Sequence, residues 1–176
     1  MKMLQWAMVA GIGGLLALAG VARAETKVEL KGVHLCCGAC VKIVGETVKK
    51  SGATAKCDKD AGTVTITAKD DDEAAKALAA LAAAGFHGDT GNKDLAIKDD
   101  SGAEKGKVKS LTVSGAHNCC PACCKALKAT VKKVDGVTAD TAKPKAASFT
   151  VTGEFDAAEL VKALNAAGFH VKVKKE

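Results

Sequence analysis

The segment Gly32-Val33-His34-Leu35-Cys36-Cys37-Gly38-Ala39-Cys40 returns 83 positions later as Gly115-Ala116-His117-Asn118-Cys119-Cys120-Pro121-Ala122-Cys123. Sliding the chain on itself by that offset lays Lys27–Thr90 over Ser110–Val173 without a gap, and about one third of the 64 aligned positions are identical. Cys36, Cys37 and Cys40 fall on Cys119, Cys120 and Cys123, His34 falls on His117, and His87 falls on His170. Ala83-Ala84-Gly85-Phe86-His87 matches Ala166-Ala167-Gly168-Phe169-His170. Two units are too few for a solenoid, so the pattern implies two small domains in tandem, residues 25–90 and 108–176. Residues 91–107 are rich in Asn, Asp, Ser, Gly and Lys, with Leu95 and Ile97 as the only larger apolar residues before Gly106, and read as a linker.

Each unit repeats one order of elements. Val28 and Leu30 alternate with charged residues as a half-buried strand does. After the cysteines, Val41, Val44 and Val48 lie on one face of a helix that Ser51-Gly52 ends. Thr54–Cys57 and Thr63–Ala68 are β-rich runs around the turn-forming Asp58–Gly62, which predicts a hairpin. Asp71 and Asp72 are expected to cap an Ala-rich helix carrying Ala74, Ala77, Leu78 and Leu81 at helical spacing. Gly85 stops that helix, and a short last strand is expected from Phe86. The second unit reads the same way through Leu111/Val113, Pro121–Val134, Thr138–Ala142, Ala147–Thr152, Asp156–Ala167 and His170–Lys174. The order β-α-β-β-α-β predicts an α+β fold: two ferredoxin-like domains, each an antiparallel four-stranded sheet with two helices on one face.

Composition narrows the function. The 176 residues carry 26 Lys+Arg, 20 Asp+Glu and only 3% aromatics, with no Tyr and a single Trp at position 6. That leaves no base-stacking surface for single-stranded nucleic acid. Lys2 followed by an apolar run from Leu4 to Val21 and by Ala22-Arg23-Ala24 reads as a secretory signal peptide, residues 1–24, cleaved before Glu25. An uncleaved membrane anchor is the alternative, because the run is long for a signal peptide. Either way the chain is expected to be exported, to a periplasm. Cleavage leaves no segment that could insert in a membrane, and it lowers the net charge from +6 to +4, too little to argue for nucleic acid as a partner.

Eight cysteines are many for this length. Cys37-Gly38-Ala39-Cys40 and Cys120-Pro121-Ala122-Cys123 each place C-x-x-C between a first strand and a first helix. That spacing lets both sulfurs face one point across the first helical turn, where free N–H groups and the helix dipole favour thiolate. A thiolate pair is a ligand set for a soft ion such as Cu(I), Hg(II) or Cd(II).

Both units resemble heavy-metal-associated (HMA) domains, the family of copper chaperones, mercury-binding periplasmic proteins and the N-terminal modules of metal-pumping ATPases. The family pattern is Gly-Met-x-Cys-x-x-Cys after the first strand, with a Gly-Tyr/Phe pair opening the last one, here Gly85-Phe86 and Gly168-Phe169. The resemblance implies Cys37, Cys40, Cys120 and Cys123 as metal ligands, Cu(I) as first choice of ion with Hg(II), Zn(II) or Cd(II) as the others, and a metal-transporting ATPase or another metal-receiving protein as partner. It departs from the pattern in a longer loop, in Leu35 and Asn118 at the family Met position, and in added cysteines: Cys36 and Cys119 before each pair and Cys124 after the second. Cys36, Cys119, Cys124, His87 and His170 are therefore candidate additional ligands, the two histidines because they follow the Gly-Phe that in this fold lies beside the metal loop. His34 and His117 lie in the loop but two positions before the first cysteine and stand behind His87 and His170 as ligands; if they joined, a Cys₃His set would suit Zn(II). Cys57 lacks a repeat partner and reads as a small buried hydrophobe.

Two functions of different class fit these residues. One is an exported metallochaperone or sequestering protein without turnover. The alternative is a thiol–disulfide oxidoreductase using the same pairs, since Cys120-Pro121-Ala122-Cys123 resembles a redox C-P-x-C. Disulfide staples are a third reading, but clustered cysteines would restrain little chain entropy. No nucleophile motif or phosphate loop supports a hydrolase.

Overall fold

Apolar alternation builds the first sheet. A computed structural model describes residues 25–175, so the expected signal peptide lies outside the described residues. In β1 (Thr26–Leu30) Val28 and Leu30 are buried between exposed Lys27 and Glu29. β2 (Thr54–Asp58) and β3 (Thr63–Ala68) form the expected antiparallel hairpin. The Asp58 carboxylate closes its turn by accepting the N–H groups of Asp60 and Ala61 at 3.0 and 2.9 Å. Val64, Ile66 and Ala68 point from β3 into the core, where α1 (Gly38–Lys50) contributes Cys40, Val44 and Val48, each one turn apart. α2 (Asp71–Ala83) covers the same core with Ala74, Ala77, Leu78 and Leu81. Its cap is Asp70, whose side chain accepts the Glu73 N–H at 2.9 Å; Asp71 and Asp72, expected as caps, occupy the first turn instead, where their charge favours the helix dipole.

The second half repeats the plan with β4 (Lys107–Ser114), α3 (Pro121–Val131), β5 (Val137–Asp140), β6 (Ser148–Asp156), α4 (Ala157–Ala166) and β7 (Lys172–Lys175). Pro121 opens α3 at a position whose N–H would have no helical partner. Both sheets are antiparallel, in the orders β1-β3-β2 and β5-β6-β4-β7. The first strand of each half lies beside its third, the order of a split βαβ arrangement. The chain is thus α+β, with helices packed against each sheet.

The four-stranded sheet expected in the first half has three strands. Its last strand shrinks to one bridge between Lys31 and Asp89. The repeat alignment shows the reason: Gly88 and Gly91 stand where the second half has Val171 and Lys174, so the segment lacks the side chains a strand packs. A Cβ at Gly88 would also lie 2.8 Å from the Val33 side chain. The connecting segment packs onto the protein. Leu95 and Ser101 are buried, the Val173 N–H donates to the Ser101 carbonyl at 2.8 Å, and the Asp100 carboxylate meets His170 Nε2 at 2.7 Å.

The two halves face each other through matching residues. Phe86 and Phe169, both fully buried, form an antiparallel bridge. The His87 N–H donates to the Gly168 carbonyl and the His170 N–H to the Gly85 carbonyl, each at 3.0 Å, so the contact has an approximate two-fold symmetry. His117 stacks on Phe86 of the other half with ring centres 3.9 Å apart, and His34 lies against Phe169 at 4.6 Å. Gly85 and Gly168 have φ of +83° and +85°, and their missing side chains make room for the backbone at His117 and His34 respectively. This pairing brings the two cysteine loops together.

Candidate metal centre

The C-x-x-C spacing places its sulfurs as helix geometry dictates. Cys37 and Cys120 sit at the N-caps of α1 and α3 in extended conformation, and Cys40 and Cys123 lie buried three residues on in the first turn. Within each pair the sulfurs are 3.8 Å apart (Cys37–Cys40) and 3.6 Å apart (Cys120–Cys123). The pairs also meet each other, since Cys40 and Cys123 are 4.0 Å apart across the contact between halves.

The added cysteines tie the two loops together. Cys36 Sγ lies 3.3 Å from Cys123, 3.5 Å from Cys120 and 3.6 Å from Cys40. Cys119 Sγ lies 3.6 Å from Cys123 and 3.7 Å from Cys40. Three-sulfur groups with all ligand atoms within 4.8 Å include Cys36/Cys37/Cys40 and Cys37/Cys119/Cys120. Metal–thiolate bonds of about 2.3 Å place two sulfurs on one ion about 3.8 Å apart at tetrahedral angles and about 4.6 Å apart when linear. The observed spacings therefore need only small adjustments to hold ions between them. All eight cysteines are free thiols.

The environment divides the thiols into two kinds. The Cys123 backbone N–H, facing Cys120 at the helix start, holds that thiol down at about 6. Cys37 is lowered in the same way, chiefly by the Cys40 N–H. Burial pushes Cys40 and Cys119 up to about 11, and it raises Cys36 and Cys123 as well. Each loop thus presents one outer thiol ready to ionise beside buried thiols that keep their protons until a cation replaces them.

The histidines fall in a different order from the sequence reading. His34 and His117 join the sulfurs: a ring nitrogen of His34 groups with Cys36 and Cys123, and one of His117 groups with Cys40 and Cys123. His117 is only 7% exposed, and its Nδ1 lies 3.0 Å from the Gly85 carbonyl, which can only accept, so Nδ1 carries the proton. Its buried Nε2 is then a lone pair without a hydrogen-bond partner, and His34 Nε2 is likewise buried without one. Burial lowers the pKa of His117 to about 4 and lowers that of His34, which keeps both rings neutral and able to ligate. His87 and His170 instead face each other, Nδ1 to Nδ1, at 3.3 Å, and join none of the sulfur groups. Cys124 is buried in α3 and Cys57 half-buried in β2, both outside those groups.

Asn118, polar at the position where the first half has Leu35, has a structural role. Its Nδ2 donates to the Lys143 and Ala146 carbonyls at 2.7 and 3.2 Å, and its backbone carbonyl accepts the Lys145 N–H at 2.9 Å. These bonds pin the second metal loop to the β5–β6 connection, whereas Leu35 anchors the first loop by burial alone.

No family model matches the chain, and no curated protein matches it. Among solved structures it is similar to the solution structure of the N-terminal soluble domains of Bacillus subtilis CopA, with 16% identity, a TM-score of 0.33, and coverage of 86% of this chain and 95% of that one.

Proposed function

We propose that this protein is an exported soft-metal carrier or sequestering protein that takes Cu(I) or Hg(II) as cargo, without turnover. In this reading residues 25–90 and 108–176 are two tandem HMA-like, ferredoxin-like domains joined by residues 91–107. Residues 1–24 direct export to the periplasm. Cys37, Cys40, Cys120 and Cys123 are the principal ligands, and the receiving partner is a metal-transporting ATPase or another metal-binding protein.

The observation that carries the proposal is the gathering of six thiols from both loops at separations of 3.3–4.0 Å, with the buried His117 and the half-buried His34, both neutral, at their edge. Thiolate softness favours Cu(I) and Hg(II), and hard ions such as Mg(II) or Ca(II) find no carboxylate among the sulfur groups. A two-thiol redox couple is less well served by this arrangement. Cys36 lies closer to Cys123 than Cys120 does, so exchange would scatter among several sulfurs.

The test is an anaerobic equilibrium competition. The reduced chain is titrated with Cu(I) against a high-affinity chelator, and the same chain with every thiol alkylated serves as control. Retention of two or more ions per chain by the free thiols and none by the alkylated chain is expected. Equal, weak retention by both would overturn the proposal.

A further inference from the structure

We propose that the two halves share one binuclear centre, in which the added cysteine of each loop completes the C-x-x-C pair of the other half. Cys36 joins Cys120 and Cys123, and Cys119 joins Cys37 and Cys40. This rests on the soft-metal reading above and goes beyond it, because one C-x-x-C per domain implies two separate sites.

The triangle Cys36–Cys120–Cys123 is the tightest among the measured separations, with edges of 3.5, 3.6 and 3.3 Å. Within its own half, Cys36 lies 3.6 Å from Cys40, and Cys40 in turn lies 3.8 Å from Cys37. The mirror set has Cys119 3.7 Å from Cys40, with Cys37 and Cys119 among ligand atoms within 4.8 Å of one another. The approximate two-fold relation that exchanges Phe86 with Phe169 also exchanges these two sets. Cys40 and Cys123, 4.0 Å apart, are the sulfurs that join them.

A second observation points to a ligand at that junction. The ring of His117, nine-tenths buried with Nε2 unpartnered, groups with Cys40 and Cys123, the two junction sulfurs. A buried polar atom left without a partner is costly, and a soft cation between those sulfurs would give it one. Loading exchanges thiol protons for the cation, and the protons leave to solvent.

The exchange of cysteines makes an unusual demand: a substitution in the first loop should expose the second. The chain is loaded anaerobically with Cu(I), supplied as its acetonitrile complex, and pulsed with iodoacetamide. Each cysteine is then followed by peptide mass spectrometry. In wild type the metal should protect all six thiols. In Cys36→Ser, alkylation of Cys120 and Cys123 should rise at least about tenfold while Cys37 and Cys40 stay protected. Cys119→Ser should show the mirror pattern and covers the case in which the first variant fails to fold. Loss of protection at Cys37 and Cys40 in Cys36→Ser would overturn the exchange in favour of three-sulfur sites within each half. Unchanged protection everywhere would reduce Cys36 and Cys119 to bystanders. Absence of protection in wild type would instead defeat the soft-metal reading itself.

Discussion

Replacing Gly85 by Ala should pull the two metal loops apart. A Cβ there would land on the backbone N of His117 and O of Gly115, and 2.8 Å from the carbonyl carbon of Ala116. All three belong to the other half's loop and are backbone atoms that no rotamer change can move aside. Ordinary van der Waals contact requires the loop to retreat by about 1 Å. The retreat weakens the bonds from His87 N–H to Gly168 O, from His170 N–H to Gly85 O and from His117 Nδ1 to Gly85 O. At about 1 kcal/mol each, these amount to roughly 3 kcal/mol. Left-handed strain adds about 1–2 kcal/mol for an alanine at φ +83°. Gly91→Ala is the matched control, since Gly91 has φ +67° with nothing within 4 Å of its added Cβ, so it bears the strain alone. The same retreat opens Cys36–Cys123, the pair proposed to share an ion across the halves, from 3.3 Å to about 4.3 Å, past the roughly 3.8 Å of two sulfurs on one ion at tetrahedral angles. Urea unfolding should therefore show a loss for Gly85→Ala larger than for Gly91→Ala by up to about 3 kcal/mol. Chelator competition should show weakened Cu(I) retention in Gly85→Ala alone. Equal stabilities and equal retention in the two variants would refute the facing arrangement of the loops.

Further outcomes follow from the same geometry. In the reduced, metal-free chain at pH 6.5, iodoacetamide should modify Cys120 before the other thiols, because its pKa near 6 leaves it largely ionised while burial keeps Cys123 protonated; first modification at Cys123 would contradict this. His117 has a folded pKa of about 4 against an ordinary 6.5, so the unfolded chain binds its proton more readily. Its contribution to stability is complete above pH 6.5 and is lost as pH falls to about 4, by roughly 3 kcal/mol. Urea midpoints of wild type and His117→Phe measured between pH 7 and 4 should diverge accordingly, the variant having the flatter acid limb. Cys57→Ala should leave the number of bound ions unchanged by elemental analysis, because this thiol stands in β2 outside the sulfur groups.

Much of this architecture was legible in the residues. The 83-residue offset, the alternation of Val28 and Leu30 and the Ala-rich period of α2 carried the element order, because local pattern and burial agree there. The missing fourth strand was legible too, in Gly88 and Gly91 facing Val171 and Lys174, but the Gly-Phe-His start shared by both halves concealed it. The meeting of the halves was not legible, since a repeat in sequence says nothing of how its copies dock. That is why His34 and His117 read as weak ligand candidates and His87 and His170 as stronger ones. Their placement depends on stacking against a phenylalanine of the other half and on a histidine pair at the contact. The extra Cys36 and Cys119 were visible as chemistry, while their neighbours across the contact were not.

X-ray absorption at the copper edge, on the reduced chain loaded with two equivalents of Cu(I), tests the central claim most directly. The account predicts a sulfur-dominated shell at about 2.3 Å with close to three sulfurs per ion, and a second copper scatterer nearby. A shell of oxygen and nitrogen, or two sulfurs in line with no neighbouring copper, would contradict it.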